Sequence, residues 1–329
     1  MYSLGLFVRN VAHDDSGATQ RGATMKIISF GAVRAERPGV LLDDESIVPL
    51  APLLVQAGFT ELSTNDILGM LDYLQPIIEA ELPFAPEILP AGSVRIGPPV
   101  PSPRKIIVAG GNYQSHVDEA AGKKGSPSPS EPLLIFKPSN TVIGPRDALV
   151  RPLQTQQLDY ETEIAVVIGR GGRHISRENA LDHVAGYMIC NDVTARDMAF
   201  KDIAIHPMFS QITRAKGIPT GAPTGPWIAT KDEIPDPQNL ELRCWVNGEL
   251  RQAGNSNEMI VDVRGLIEDF SKVVELEPGD FIMSGTTTGC GAFQDPPVFL
   301  FEGDVVRMEI TGLGVMETPI VDEKLRASR

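Results

Sequence analysis

Short apolar runs broken by glycine and proline recur along most of the chain, and stretches with the spacing of a buried helix face are few. Residues 26–30, 40–42 and 46–50 read as strands, the second and third flanking the acidic turn Asp43-Asp44-Glu45. Thr64-Asn65-Asp66 is placed to cap a helix that carries Ile67, Leu68, Leu71 and Leu74 on one side. Strands are predicted again at 105–109, 133–137, 164–168, 186–190 and 281–286, and in short pieces joined by glycine turns between 298 and 319. Asn247-Gly248, between 240–246 and 249–252, is the strongest hairpin signal in the chain, and 259–274 has an amphipathic helical pattern.

This order predicts an α+β, predominantly β protein. Residues 1–24, polar and Gly-rich, are expected to be a disordered leader, with Met25 as an alternative start. Residues 25–97 make a small N-terminal α+β domain, and 98–103 a linker stiffened by Pro98, Pro99, Pro101 and Pro103. A barrel-like or rolled-sheet domain spans 104–322, and 323–329 form a tail.

The stretch Leu158-Asp159-Tyr160-Glu161-Thr162-Glu163 loads acids into the mouth of a strand. In an extended chain Asp159, Glu161 and Glu163 face one side, and like charges held so close must be solvated or neutralised by a cation. Residues 164–168 are apolar at every position, as in a strand covered on both faces, which argues against simple solvation. An all-oxygen cluster of this kind suits a hard divalent ion, Mg²⁺, Mn²⁺ or Ca²⁺; a solvated edge strand is the alternative.

Charge and composition narrow the partners. A formal charge of −14 over 329 residues opposes nucleic acid and anionic membrane surfaces as ligands. No apolar run approaches the roughly 20 residues of a membrane helix. Cys190, Cys244 and Cys290 are odd in number and far apart, unlike a disulfide framework or zinc knuckle, and no secretory signal opens the chain. A cytoplasmic setting is the expectation.

Further candidate chemistry flanks the acidic strand. His116 and Glu119 are three apart at the start of a predicted helix, so the carboxylate can raise the basicity of the imidazole. The Gly, Lys, Ser and Pro residues that follow suit a mobile lid; an exposed capping helix with an incidental pair is the alternative. Asp192 lies just past a predicted strand end, where it either joins Glu161 and Glu163 or caps the next turn. Arg196 either meets a substrate carboxylate or pairs with Asp197 or Asp202, and Lys216 is either a pocket residue or one more surface lysine. Thr286-Thr287-Thr288-Gly289 offers amides and hydroxyls to an anion.

In order along the chain stand Asn112-Tyr113-x-x-His116-x-x-Glu119, Asp159-Tyr160-Glu161-x-Glu163 and Asn191-Asp192-x-Thr194-Ala195-Arg196-Asp197. Lys216 ahead of Gly225-Pro226-Trp227, the Asn247-Gly248 hairpin, and Glu277-Pro278-Gly279-Asp280 leading to Gly285-Thr286 complete the series. The ordered set resembles the fumarylacetoacetate hydrolase family, in its acylpyruvate hydrolase-like branch, from about residue 105 to 320. The resemblance implies a mixed β-sandwich roll in which Glu161, Glu163 and Asp192 hold Mg²⁺ or Mn²⁺, with Ca²⁺ also fitting. It implies His116 and Glu119 as a water-activating lid dyad with Lys216 as a third catalytic group. Arg196, Thr286 and Tyr113 would then bind a small anionic 2-oxo or 2,4-dioxo acid, in a homodimer.

The reaction the resemblance implies is hydrolysis of a carbon–carbon bond in an acylpyruvate- or fumarylpyruvate-type acid through a cation-stabilised enolate. Decarboxylation, isomerisation and lyase chemistry on a 2-oxo acid pass through the same enolate and are the alternatives; a non-catalytic binding protein is a third. Three positions depart from the family pattern and bear on the substrate: Ala199, Pro219 and Thr287, where Gln, Asp and Pro are usual.

Overall fold

The computed structural model describes residues 25–324, so the expectations for 1–24 and for the end of the tail lie outside the described residues. In chain order the first strands are β1 (Lys26–Phe30), β2 (Arg37–Leu41), β3 (Ile47–Pro49), β4 (Ile106–Gly110), β5 (Leu133–Lys137) and β6 (Val142–Ile143). Next come β7 (Leu149–Arg151), β8 (Leu158–Asp159), β9 (Thr162–Ile168), β10 (Val184–Asn191), β11 (Thr194–Ala195) and β12 (Ala222–Thr230). The last are β13 (Glu241–Val246), β14 (Glu249–Asn255), β15 (Phe281–Thr286), β16 (Val305–Ile310) and β17 (Gly314–Asp322). The helices are α1 (Leu50–Gln56), α2 (Thr64–Gly69), α3 (Leu71–Glu81), α4 (Gln114–Ala120), α5 (Arg196–Ala199), α6 (Ile212–Lys216) and α7 (Val263–Val273).

The strands form a large mixed sheet in the order β3-β2-β1-β12-β10-β9-β15-β4-β5, a second sheet β14-β13-β16-β17-β7, and the small pair β11-β8. This is the α+β, largely β architecture the apolar pattern predicts. Every residue of β9 is buried, and its alternate side chains enter two different cores. Ile164, Val166 and Ile168 pack with Leu242, Cys244, Met308 and Met316 of the second sheet and with Leu266 and Phe270 of α7. Ala165 and Val167 pack with Leu53, Leu68, Leu74 and Ile78 from α1, α2 and α3. The continuous apolar run in the sequence is therefore a strand covered on both sides.

The N-terminal segment shares that sheet. β1 pairs antiparallel with β12, and Ile27 and Val40 join the core that holds Val167, Ile228 and Phe281. The helix predicted around 64–74 starts one residue earlier than expected, because Ser63 supplies the cap. Its side chain accepts from the Asp66 amide while the Asp66 carboxylate accepts from the Ser63 amide, a reciprocal capping box. It also breaks at Met70, so α2 and α3 are separate pieces. The β13–β14 hairpin closes as predicted: Asn247 and Gly248 take φ values of 52° and 81°, the doubly positive pair that a twist-matched two-residue turn needs.

Replacing Ile27, fully buried at the joint between the N-terminal strands and the large sheet, by alanine is expected to cost about 2–5 kcal/mol. Denaturant unfolding followed by circular dichroism and by tryptophan fluorescence should remain one transition; separate transitions would show that 25–97 unfolds on its own.

Candidate active site

Register brings the acids together. Glu163 on β9 lies opposite Cys190 on β10 and Thr286 on β15, while Asn191, the last residue of β10, lies opposite Thr162. Asp192 follows directly, its amide donating to the Glu161 carbonyl at 2.9 Å. Carboxylate oxygens of Glu161, Glu163 and Asp192 consequently fall within 4.8 Å of one another, all three residues buried. Asp159 is diverted from this group: the strand is interrupted at Tyr160 and Glu161, and the Asp159 carboxylate accepts from the Gly291 and Ala292 amides and from Arg196.

Three buried or nearly buried cations face these four acids. The Arg196 fork divides between Asp159 (Nε to Oδ2, 2.8 Å) and Glu161 (Nη2 to Oε1, 2.6 Å). Lys216 Nζ donates to Glu161 Oε2 at 2.9 Å, to Thr194 Oγ1 at 3.1 Å, and to Asp192 Oδ2. Lys137 Nζ donates to Asp192 Oδ1 at 2.7 Å and to the Val193 carbonyl at 3.0 Å. Among the described residues, Glu163 alone of the four has no ion pair, and its one partner is the Gly285 amide, at 2.8 Å. Gly285 sits at φ 92°, where a Cβ would come within 2.9 Å of the Ala109 carbonyl, so glycine lets that amide reach the acid.

The titration directions follow. Burial works against ionisation of Glu161, but Lys216 and Arg196 outweigh it and hold the carboxyl well below the usual range. Burial, then Asp192 and Glu161, push Glu163 well above that range. Burial opposes the charge on Lys216, yet the surrounding carboxylates raise its affinity for a proton and keep it cationic.

The His116–Glu119 pair stands at the edge of this cluster. His116 Nδ1 and Glu119 Oε2 on α4 are 3.6 Å apart. The anion held by the Thr286–Gly289 turn is Glu119 itself: the Gly289 amide donates to Oε1 at 2.8 Å, and the Ser115 and Thr287 hydroxyls meet at 3.2 Å. The hydroxyl at position 287, one of the departures from the family pattern, thus ties the helix to the turn.

Of the residues singled out in the sequence, His116, Glu119, Glu161, Glu163, Asp192, Arg196 and Lys216 converge here. Arg196 ignores Asp197 and Asp202, since Asp197 accepts from Thr155 Oγ1 at 2.6 Å and from the Gln156 amide at 2.8 Å. Tyr113 and Thr286 turn inward. Tyr113 is fully buried, close to Gly285, and the Thr286 hydroxyl donates to the Thr162 carbonyl while accepting from Gln252. Lys137, Gln252 and Cys290 join the site without having been predicted. A lysine closing the apolar run of β5 was the available signal for Lys137, because a buried lysine requires a partner. Gln252 carried none; its side chain accepts from the Thr162 amide and donates to Thr286 Oγ1, the Thr287 carbonyl and Cys290 Sγ.

The residues fit a hard divalent cation. Glu161, Glu163 and Asp192 offer oxygen only, and Glu163 is a buried carboxylate lacking a positive partner. Lys216 bridges Glu161 and Asp192, but each carboxylate carries about four lone-pair positions, so the ammonium does not exhaust them.

With this geometry in view, the comparisons define the class. Residues 105–321 match the Fumarylacetoacetate (FAA) hydrolase C-terminal family. The chain belongs to the fumarylacetoacetate hydrolase family and is an enzyme of that family. It is 42% identical over 298 residues to a mitochondrial oxaloacetate tautomerase of Xenopus laevis, covering 91% of each chain. Among solved structures it resembles a probable 2-hydroxyhepta-2,4-diene-1,7-dioate isomerase from Mycobacterium abscessus, with 37% identity and a TM-score of 0.75 over 92% of this chain and 100% of that one. It also resembles a maleylpyruvate hydrolase from Sphingobium sp. SYK-6, solved with manganese(II) and pyruvate, with 29% identity and a TM-score of 0.74 over 91% and 100%. No helix among the described residues is long and apolar enough to cross a membrane.

Two measurements probe the charge balance. Because folding raises the affinity of Glu163 for a proton, the metal-free protein binds more protons than the unfolded chain above the ordinary carboxylate range, and its stability falls as pH rises. A bound cation removes that penalty, so the stabilisation by saturating Mg²⁺ is expected to grow with pH from that range toward the raised Glu163 value. A gain that stays flat or shrinks on chemical denaturation would locate the uncompensated charge elsewhere. Asp192→Asn should separately lose most of the cation-dependent stabilisation, about 2.7 kcal/mol for wild type at a hundred times Kd. Thermal shifts of each protein with and without Mn²⁺ read this directly.

Proposed function

We propose that the protein is a divalent-cation-dependent tautomerase that interconverts the enol and keto forms of oxaloacetate or a similar 2-oxo dicarboxylic acid. What carries this reading is the meeting of Glu161, Glu163 and Asp192 with the His116–Glu119 pair, in a chain matching an oxaloacetate tautomerase along 91% of its length. Glu161, Glu163 and Asp192 would hold Mg²⁺ or Mn²⁺. When bound, the ion supplies positive charge where negative charge develops on the substrate as a proton leaves.

The chain's own groups handle the proton. Glu119, steadied on Oε1 by the Gly289 amide, turns Oε2 toward His116 Nδ1 and favours a proton on that nitrogen. Nε2 is then left to accept a proton from one substrate position and return it to another. Arg196 and Lys137 act as positioning residues, holding Glu161 and Asp192, and Lys216 is a fixed positive charge beside the developing anion. With no water consumed, substrate and product have equal mass.

Hydrolysis of a maleylpyruvate-like acid is the second reading, favoured by the intact dyad and by the 29% identical maleylpyruvate hydrolase. The homodimer expected from the resemblance belongs to this proposal as well. Phe200, Ile203, Ile205, Met208 and Phe209, in the segment between Arg196 and Lys216, are all exposed, which fits a surface that self-association would cover. Three free, buried cysteines fit a reducing compartment, cytoplasm and mitochondrial matrix alike.

The deciding measurement is the decay of enol-oxaloacetate absorbance with Mg²⁺, alongside pyruvate detection from maleylpyruvate. Acceleration is expected on oxaloacetate, abolished by chelator and reduced roughly 10²-fold or more in His116→Ala. Pyruvate release without any tautomerisation would replace this reading by the hydrolase.

A further inference from the structure

Behind the hard-oxygen set lies a second group of potential ligands with a different chemical character. Cys290, fully buried just past the Thr286–Gly289 turn, places Sγ 3.9 Å from His116 Nδ1. A ring nitrogen of His116, a carboxylate oxygen of Glu161 and Cys290 Sγ all lie within 4.8 Å of one another. We propose that His116, Glu161 and Cys290 form a binding site for a thiophilic divalent cation, Zn²⁺ foremost, which draws Glu161 and His116 away from catalysis.

The donor set supplies the selectivity. Nitrogen, sulfur and carboxylate oxygen make the mixed tetrahedral environment that Zn²⁺ accepts at about 2.0–2.3 Å per ligand, whereas Mg²⁺ takes oxygen and rejects sulfur. Tetrahedral ligands at those lengths stand roughly 3.5 Å apart, so the sulfur and the imidazole at 3.9 Å are nearly in place and the widest pair, within 4.8 Å, needs to close by about 1.3 Å at most. The movement falls on α4, a short helix with no fully buried residue. Glu119 Oε2 is buried, makes no hydrogen bond among the described residues and lies 3.6 Å from His116 Nδ1, which puts a fourth ligand within reach.

Neighbours on the sulfur side permit this. Gln252 Nε2 lies 3.7 Å from Sγ, and the thiol faces the Thr287 carbonyl at 3.9 Å, a weak contact that ligation would replace. Arg196, paired with Glu161 and lying over the Phe293 ring that His116 also meets, opposes a further cation; Glu119, Asp159 and Glu161 offset it. Ligation expels the thiol proton to solvent, one for each ion bound, and leaves the sulfur as thiolate.

The inhibitory consequence rests on the proposed tautomerase reading; the binding itself does not. Glu161 serves both ligand sets, and an ion at His116 Nδ1 displaces the proton that Glu119 orients there.

The test is direct binding to the full-length protein in saturating Mg²⁺. Co²⁺ serves as spectroscopic probe, and Zn²⁺ affinity is measured by competition with a chromophoric chelator. Expected are one Zn²⁺ per chain and a sulfur-to-cobalt charge-transfer band that disappears in Cys290→Ser but persists in Cys190→Ala. Zn²⁺ affinity should fall at least about tenfold in Cys290→Ser, and likewise in His116→Ala, which alters a partly exposed residue and so guards against misfolding of the first variant. Absence of the band in wild type, or unchanged Zn²⁺ affinity in either folded variant, overturns the site. If Zn²⁺ binds as described while oxaloacetate is not turned over, the functional reading fails and the metal site stands.

Discussion

The unbalanced charge buried at the end of β9 is the constraint on which the rest of the active centre depends. Asp159, Glu161, Glu163 and Asp192 are almost wholly removed from water, and Lys137, Arg196 and Lys216 answer them. Carboxylates in such a place persist only when paired or when they take up a proton, and Glu163 has no cationic partner among the described residues. A divalent ion would resolve the imbalance, so the same electrostatic debt makes the site receptive to a cation.

Burial on this scale needs a scaffold that does not yield. β9 runs between β10 and β15, with helices packed on one face and the second sheet on the other, and its apolar half anchors the acidic half. Every neighbour of the acids is tied back in turn, Gln252 to the Thr286 turn, Gly285 to Glu163, Lys137 to Asp192. α4 is built differently: it buries none of its residues fully and is held through Ser115, Glu119 and the turn. Buried charge beside an imidazole on a partly exposed helix is compatible with tautomerisation, hydrolysis or decarboxylation, because all three begin by stabilising an enolate.

Much of this was legible along the chain. The apolar run at 164–168, the Asn247-Gly248 turn and the three-residue spacing of His116 and Glu119 are local signals, and local geometry expresses them without outside help. The acids were visible as residues, and the ordered motifs identified the family. Arg196 was less so: a guanidinium can serve a substrate or an internal carboxylate with equal ease, and only its position between Asp159 and Glu161 chose. Tyr113 and Thr286 carry the right groups at the right motif positions, yet packing turns both inward.

The sequence by itself determined the strands, the hairpin, the helix that carries His116 and Glu119, and the types of side chain available, since these follow from period, turn chemistry and residue identity over a few positions. Tertiary structure alone decided that Asp192 lies against Glu161, that Lys137 comes in from β5 to hold it, and that Cys290 reaches His116. Those partners are separated by 31, 55 and 174 positions, and the last two distances are fixed by strand order and register, which no short-range pattern encodes.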